Sequence, residues 1–359
     1  MTQTTTRVVI GLAVLLGVAA VFVFNFLANA GQFRTLKPRF AGTCVSVPLE
    51  ASAEDIRIDA ERGIAYLSYL DRRAVSHGKP ARGTVMLLDM NLPEPRPRAA
   101  LTTQAADFRP QGMSLYVPAE GPRRLFVINR LRDGEHAVEI FEESVTGAFA
   151  PVETIRDPLL SHANAIAAIG PRQFYVANDS GASSAFERLR EFAFRRGRST
   201  VTHFDGEKMR VVASGLQSAS GIAVSNHGLW VYVGEAAGNR LHIFDRDSAT
   251  GELASRNWVQ LEGAPDNVTI DADGTVWIAA HPKVLALLAH LRDPSKPSPT
   301  AIYRLRTSVV KKDDRLSIPY LDLGEGISAG SVAAVHAGRM LVGSSTQHKA
   351  LLCRLPENL

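Results

Sequence analysis

An all-β fold, a six-bladed β-propeller behind one N-terminal apolar helix, is what this 359-residue sequence predicts. Three observations predict it. The first is a phrase met six times, a polar or small pair followed by an apolar-x-apolar stretch. Its copies are Glu54-Asp55-Ile56-Arg57-Ile58, Gln111-Gly112-Met113-Ser114-Leu115, Asn164-Ala165-Ile166-Ala167-Ala168, Ser220-Gly221-Ile222-Ala223-Val224, Asp266-Asn267-Val268-Thr269-Ile270 and Gly330-Ser331-Val332-Ala333-Ala334. They stand 57, 53, 56, 46 and 64 residues apart. A recurrence near this length, with short strands in every unit, is the pattern of propeller blades. The second observation is that strand-type runs between Gly, Asp and Asn turns fill most of the chain. The third is the apolar N-terminus.

That terminus comes first. Residues 8–32 carry no charge and are mostly Val, Leu, Ala and Phe. As a helix they span a hydrocarbon core of about 30 Å. A secretory signal peptide has a shorter apolar core, of about 7–15 residues. The length favours an uncleaved signal-anchor, while Ala28-Asn29-Ala30 fits a small-x-small cleavage site and keeps removal open. Arg7 precedes the segment and Arg34, Lys37 and Arg39 follow it, so charge leaves the orientation open. The chain divides into an anchor at 1–33 and a propeller at 34–359.

The unit at 220–263 shows the blade most clearly. An inner strand is expected at 222–225, a second at 229–234, a third at 240–245 and a fourth over 258–261, with turn residues between them. Second strands of the other blades are expected at 63–69, 124–129, 173–178, 274–280 and 338–344. Two stretches break the pattern. Residues 184–198 read as a basic amphipathic helix with Phe186, Leu189 and Ala193 on one face. It is either an ordinary surface helix or a lid that meets an anionic membrane surface. Residues 282–292 read as a short apolar helix that walls a pocket or packs on the propeller.

The balance of charge is mildly basic, +4 with pI near 9.1, and spread along the chain. That describes a solvated surface, not a nucleic-acid-binding one. Two cysteines, Cys44 and Cys353, lie near the two ends of the globular part. In a ring the ends meet, so a disulfide is one reading and two separate thiols the other. A bond would point to an oxidising compartment.

The first positions of the phrase would converge on one channel. Five of the six are Glu, Gln, Asn, Ser and Asp, all oxygen donors. Glu54, Asn164, Asp266 and Asn267 offer two carboxylates and two amide oxygens. Hard ligands of this kind suit Ca²⁺, whereas zinc or copper would want His or Cys. No Gly-rich phosphate loop is evident. Ser220 lacks the flanking glycines of a nucleophile elbow, for which Ser218 and Ile222 stand instead.

Several stretches together resemble the paraoxonase/arylesterase lactonases, relatives of the gluconolactonase-type calcium propellers. They are Ser52-Ala53-Glu54-Asp55-Ile56, Gly170-Pro171-Arg172-Gln173-Phe174-Tyr175, Asp266-Asn267-Val268-Thr269 with His281-Pro282, and Leu352-Cys353. The resemblance implies a six-bladed propeller with a calcium ion in its channel and a Cys44–Cys353 disulfide. It implies calcium ligands at Glu54, Asn164, Asp266 and Asn267, a fifth at Ser220 where the family has an amide, and an active-site histidine at His281. A second, structural calcium would use Asp55 and the Met113 carbonyl. Its other carboxylate falls on Ala165, so that site is expected to be weak or empty. The family's histidine pair falls on Gln111 and Arg130, neither of which is a usable general base.

The expected chemistry is hydrolysis of lactones or aryl esters by water, with help from Glu54 or Asp266 and a proton shuttle at His281 or His162. Arg130 is a candidate contact for a carboxylate or phosphate of the substrate. Two alternatives stand beside this reading. One is a sugar-lactone or organophosphate hydrolase of the same fold. The other is a propeller that has lost catalysis and serves as a binding scaffold. The propeller is expected outside the cytoplasm, held by the N-terminal helix with helix 184–198 as a second candidate membrane contact, or secreted if the segment is cut.

Overall fold

The structure is a computed structural model that describes residues 3–307 and 315–357. The two residues at each chain end, which belong to the expected anchor and propeller units, lie outside it. Helix α1 (Gln3–Asn29) is the N-terminal apolar segment, long and apolar enough to cross a membrane. At about 1.5 Å per residue it is roughly 40 Å long.

Everything after it is mostly β. The chain runs through β1 (Thr43–Pro48), β2 (Ser52–Asp59), β3 (Ile64–Leu70), helix α2 (Arg72–Ser76), β4 (Thr84–Asp89) and β5 (Arg98–Ala99). Next come β6 (Pro110–Tyr116), β7 (Arg124–Arg130), β8 (His136–Glu143) and β9 (Phe149–Ile155), which form a four-stranded sheet in chain order. A second such sheet holds β10 (Ala163–Ala168), β11 (Phe174–Asn178), β12 (Ser199–Phe204) and β13 (Met209–Leu216), with α3 (Ala185–Ala193) inserted after β11. The third is β14 (Ala219–Val224), β15 (Trp230–Glu235), β16 (Arg240–Arg246) and β17 (Leu253–Gln260). The fourth is β18 (Ala264–Ile270), β19 (Val276–His281), β20 (Thr300–Arg306) and β21 (Arg315–Asp322), with α4 (Val284–Arg292) after β19. Then follow β22 (Gly330–His336), β23 (Arg339–Ser344) and β24 (Lys349–Arg354). The first strand pairs with the last, from Thr43 opposite Arg354 to Pro48 opposite Lys349. A single pair, Ala53 opposite Ser344, links that group to β2–β5.

Several four-stranded antiparallel sheets in chain order are the arrangement of a propeller. Strand ends lie close to their expected places. The largest shifts are in the third sheet, where β14 starts at Ala219 and β17 already at Leu253. The helix expected at 184–198 ends at Ala193, because Arg195 adopts φ 52° and turns the chain left-handed. Its start has the expected chemistry: Ser184 Oγ accepts from Glu187 N, and Glu187 reaches back to Ser183 N.

The core is a series of apolar seams between consecutive sheets. Tyr232 and Ile243 meet Ile278 and Tyr303 in one seam, and Phe126 and Ile140 meet Phe174 and Val176 in another. Ile56 and Leu67 meet Leu341 and Leu352 where the last sheet packs on the first. Cys44 faces Cys353 across β1 and β24, and their sulfurs are bonded with Cα atoms 4.0 Å apart.

Candidate functional site

Each inner strand carries an irregularity in its ladder at the repeated phrase. The register shifts between Ala53 and Ile56, Pro110 and Met113, Ala163 and Ala165, Ala219 and Gly221, Pro265 and Val268, and Gly330 and Val332. A bulged residue has no partner opposite and is re-aimed by the local bend. The residues inside these shifts are Glu54 with Asp55, Gln111 with Gly112, Asn164, Ser220, Asp266 with Asn267, and Ser331. The small residues beside them let neighbouring inner strands touch. A Cβ on Gly112 would stand 2.4 Å from the Asn164 carbonyl oxygen, and one on Gly221 2.3 Å from that of Asp266.

Glu54, Gln111, Asn164, Ser220 and Asp266 line the floor of a cavity of about 660 Å³. Hydrogen bonds gather them with their neighbours into three groups, around Glu54, around Asn164 and at Asp266. Asn267 Nδ2 donates to the Glu54 carbonyl at 3.0 Å and to Glu54 Oε1 at 3.1 Å. Ser331 Oγ donates to the same Glu54 carbonyl. Asn164 Nδ2 donates to the Ser220 carbonyl at 2.5 Å, and Ser220 Oγ donates to the Pro265 carbonyl at 2.7 Å. His281, at the end of β19, donates from Nε2 to Asp266 Oδ2 at 3.0 Å.

Among the described residues, the buried polar atoms without a partner at this floor include Glu54 Oε2, His281 Nδ1 and Arg72 Nε, and Asn267 Oδ1, behind the lining, is another. Unpartnered buried oxygens are expensive, and two of them beside the Asp266 carboxylate fit a hard cation. Asn164 fits less simply. Its Oδ1 already accepts from Arg130 Nη2 at 2.8 Å and Gln111 Nε2 at 3.2 Å, which fills both lone pairs. Among the described residues, no group of three or more His, Cys, Asp or Glu side chains gathers to hold a metal. A cation here would rest on two carboxylates plus amide and hydroxyl oxygens.

Two arginines share the floor. Arg130 also donates to the Ala163 carbonyl and lies 3.7 Å from Asp179. Arg72 begins α2 and donates to Ser68 Oγ and to the Ser52 and Pro110 carbonyls. Burial pushes the Glu54 carboxyl up to about 8 despite Arg72, with Asp266 and Asp55 adding to the rise. Burial draws Arg72 down to about 10. His162 does not line the cavity; its ring stands edge-on to His136, 6.4 Å between centroids.

The walls are of another character. Leu189 and Phe192 of α3 face Val284, Leu287 and Leu288 of α4, with Arg188 and Arg196 among them. The end of α1 reaches this rim. Asn29 donates to the Ala237 carbonyl, Ala30 packs against Ala264 and Val284, and the Phe22 and Phe194 rings meet at a 32° tilt, 4.9 Å between centroids. Polar floor and apolar walls suit a small ester or lactone with an apolar substituent.

The structure brings the expected Glu54, Asn164, Ser220, Asp266 and His281, with Gln111 and Arg130, to one cavity, and Asn267 lies behind it. Sequence reasoning missed Arg72, which lies outside the repeated phrase. It also passed over Arg57, which lies inside the phrase: Asp55 and Met113 meet its guanidinium. The signal was present, since period two puts Arg57 on the face of Asp55.

A family model described as Arylesterase matches residues 47–355. Serum paraoxonase/arylesterase 1 of Rattus norvegicus is 28% identical over 342 residues, covering 92% of this chain and 94% of the relative. Serum paraoxonase/lactonase 3 of Mus musculus is 30% identical over 343 residues, covering 93% and 94%. Two solved structures share the fold, each at TM-score 0.52. One, a luciferin-regenerating enzyme, is 13% identical and covers 87% of this chain and 95% of its own. The other, the PQQ-bound aldose sugar dehydrogenase of Streptomyces coelicolor, is 10% identical and covers 89% and 99%.

Proposed function

The chain belongs to the arylesterase family, and on that premise we propose that it is a calcium-dependent hydrolase of lactones or aryl esters. The observation that carries this reading is the pair of unpartnered buried oxygens, Glu54 Oε2 on the floor and Asn267 Oδ1 of the side chain hydrogen-bonded to Glu54, next to the His281–Asp266 hydrogen bond. Glu54, Asp266 and Asn267 would hold the ion, with Ser220 beside them and Asn164 once Arg130 yields its oxygen. Calcium, when bound, supplies a Lewis acid for the carbonyl of the substrate. Asp266 orients the His281 imidazole. His281 Nδ1 is then free to take the proton of the attacking water and return it to the leaving oxygen. Gln111 and Arg130 offer N–H groups to the substrate at the positions where the family's histidine pair is expected.

The same proposal extends to the ring and its place in the cell. The inner strands β2, β6, β10, β14, β18 and β22 each contact the next, and β22 contacts β2. That supports six blades closed by the pairing of β1 with β24. The apolar α1 and the disulfide support a membrane-anchored propeller outside the cytoplasm. The contacts of Phe22 and Phe26 with Phe194 and Phe192 support α3 as part of the membrane-facing rim.

A panel of lactones, aryl esters and phosphotriesters, run with calcium and with EGTA, tests the function. Lactone or ester turnover lost on chelation is expected. Full turnover in chelator removes calcium from the reading, and silence on the whole panel favours a binding scaffold, which the Arg130–Asn164 bond supports as the second reading.

A further inference from the structure

Below the floor, on the axis of the inner strands, one side chain joins three of them. Arg57 of β2 donates from Nε to the Met113 carbonyl of β6 at 2.7 Å and from Nη1 to the Val268 carbonyl of β18 at 2.8 Å. Its Nη2 donates to Asp55 Oδ2 at 3.0 Å. Asp55 is fully buried and already accepts the Met113 N–H on Oδ2 and the Ile56 N–H on Oδ1.

We propose that the Arg57 guanidinium is the built-in cation of the ring axis, standing where Asp55 and the Met113 carbonyl would otherwise hold a second metal ion. The residues do not fit a metal. Both Asp55 oxygens are engaged, the Met113 carbonyl accepts from Arg57, and Ala165 offers no ligand. They do fit a guanidinium, a planar fork whose several N–H donors meet separate oxygens and which keeps its charge at any working pH. β18 is not adjacent to β2 in the sequence of inner-strand contacts, so the fork braces the ring across its axis. Arg57 also lines the separate cavity, of about 190 Å³, on the far side of the axis. The guanidinium therefore stands between that cavity and the site above. A metal ion can be drawn out by a chelator, whereas this cation is covalently part of the chain.

The test measures tightly bound calcium in the full chain, purified in detergent with calcium and then desalted, for the wild type and for Glu54→Gln. No ion is expected to remain in Glu54→Gln, and its melting temperature should be the same in calcium and in EGTA. Any tightly bound ion that survives in Glu54→Gln overturns the proposal. A wild type that binds no calcium sinks the proposed channel ion and leaves Arg57 standing, so the two ideas fail separately. Arg57→Lys keeps the charge and loses the fork. It should melt roughly 5 °C or more below the wild type, with calcium or without, and a chain that no longer folds falls on the same side. Melting at the wild-type temperature overturns the brace.

Discussion

Nε2 of His281 lies 3.0 Å from Oδ2 of Asp266, while Nδ1 of the same ring is buried without a partner. One nitrogen is fixed by a carboxylate, and the other is the one the proposed mechanism would use to carry a proton. Replacing His281 by Gln should lower kcat by roughly 10²–10⁴ with little change in the circular dichroism spectrum. Turnover within threefold of wild type would remove His281 from the chemistry.

The Glu54 carboxyl gives the metal-free protein a pH dependence. Burial raises it from an ordinary 4.5 to about 8, so the folded state favours its protonated form. Its contribution to stability is fully present below the ordinary value and is lost as pH rises through about 8. At the proposed site, calcium would need the carboxylate and would displace that proton. Calcium affinity should therefore climb about tenfold per pH unit below pH 8 and level off above it. Calorimetry in buffers of different ionisation enthalpy would report the released proton, and a flat profile would reject the linkage.

Arg130 competes for the oxygen that Asn164 would give to the ion. Arg130→Gln removes a positive charge from the floor and frees a lone pair. Calcium should bind roughly tenfold more tightly, about 1.4 kcal/mol. Turnover of anionic substrates should fall more than that of neutral ones. Unchanged affinity would mean that Asn164 is no ligand.

The inner strands are legible in the sequence because bulge and phrase coincide: the polar residue that breaks the apolar alternation is one left without a cross-strand partner. Glu54, Asn164, Ser220 and Asp266 were visible for that reason. Arg72 was not, because it enters from α2, where sequence spacing says nothing about distance to the floor. Arg57 was printed inside the phrase, but a lone arginine on a strand face reads as exposed until the facing carbonyls of Met113 and Val268 are known. The fourth-strand boundary at Leu253 was hidden by exposed polar residues on an outer edge.

The bond between Cys44 and Cys353 joins positions 309 residues apart. In the chain-entropy model, closing such a loop is worth about 5–6 kcal/mol as an upper figure. A Cys44→Ser, Cys353→Ser double variant should melt at least several degrees lower, and reductant should shift the wild type toward it. Equal melting curves would show that the strand pairing alone holds the ends.

Helix α1 should keep the protein in membranes after carbonate washing. A chain lacking residues 1–29 should appear in the soluble fraction. If it still sediments with membranes, the rim of α3 and α4 holds the surface without the anchor.

The bulges have a further consequence. A residue without a cross-strand partner can be exchanged without disturbing the ladder on either side of it, while the apolar seams lie on other residues. Each inner strand thus presents a socket that the ladder itself does not fix, although bonds such as Asn164 to the Ser220 carbonyl and Ser220 to the Pro265 carbonyl tie some sockets to the next strand. Such an architecture is open to reprogramming: the seams can be kept while the chemistry is changed one socket at a time.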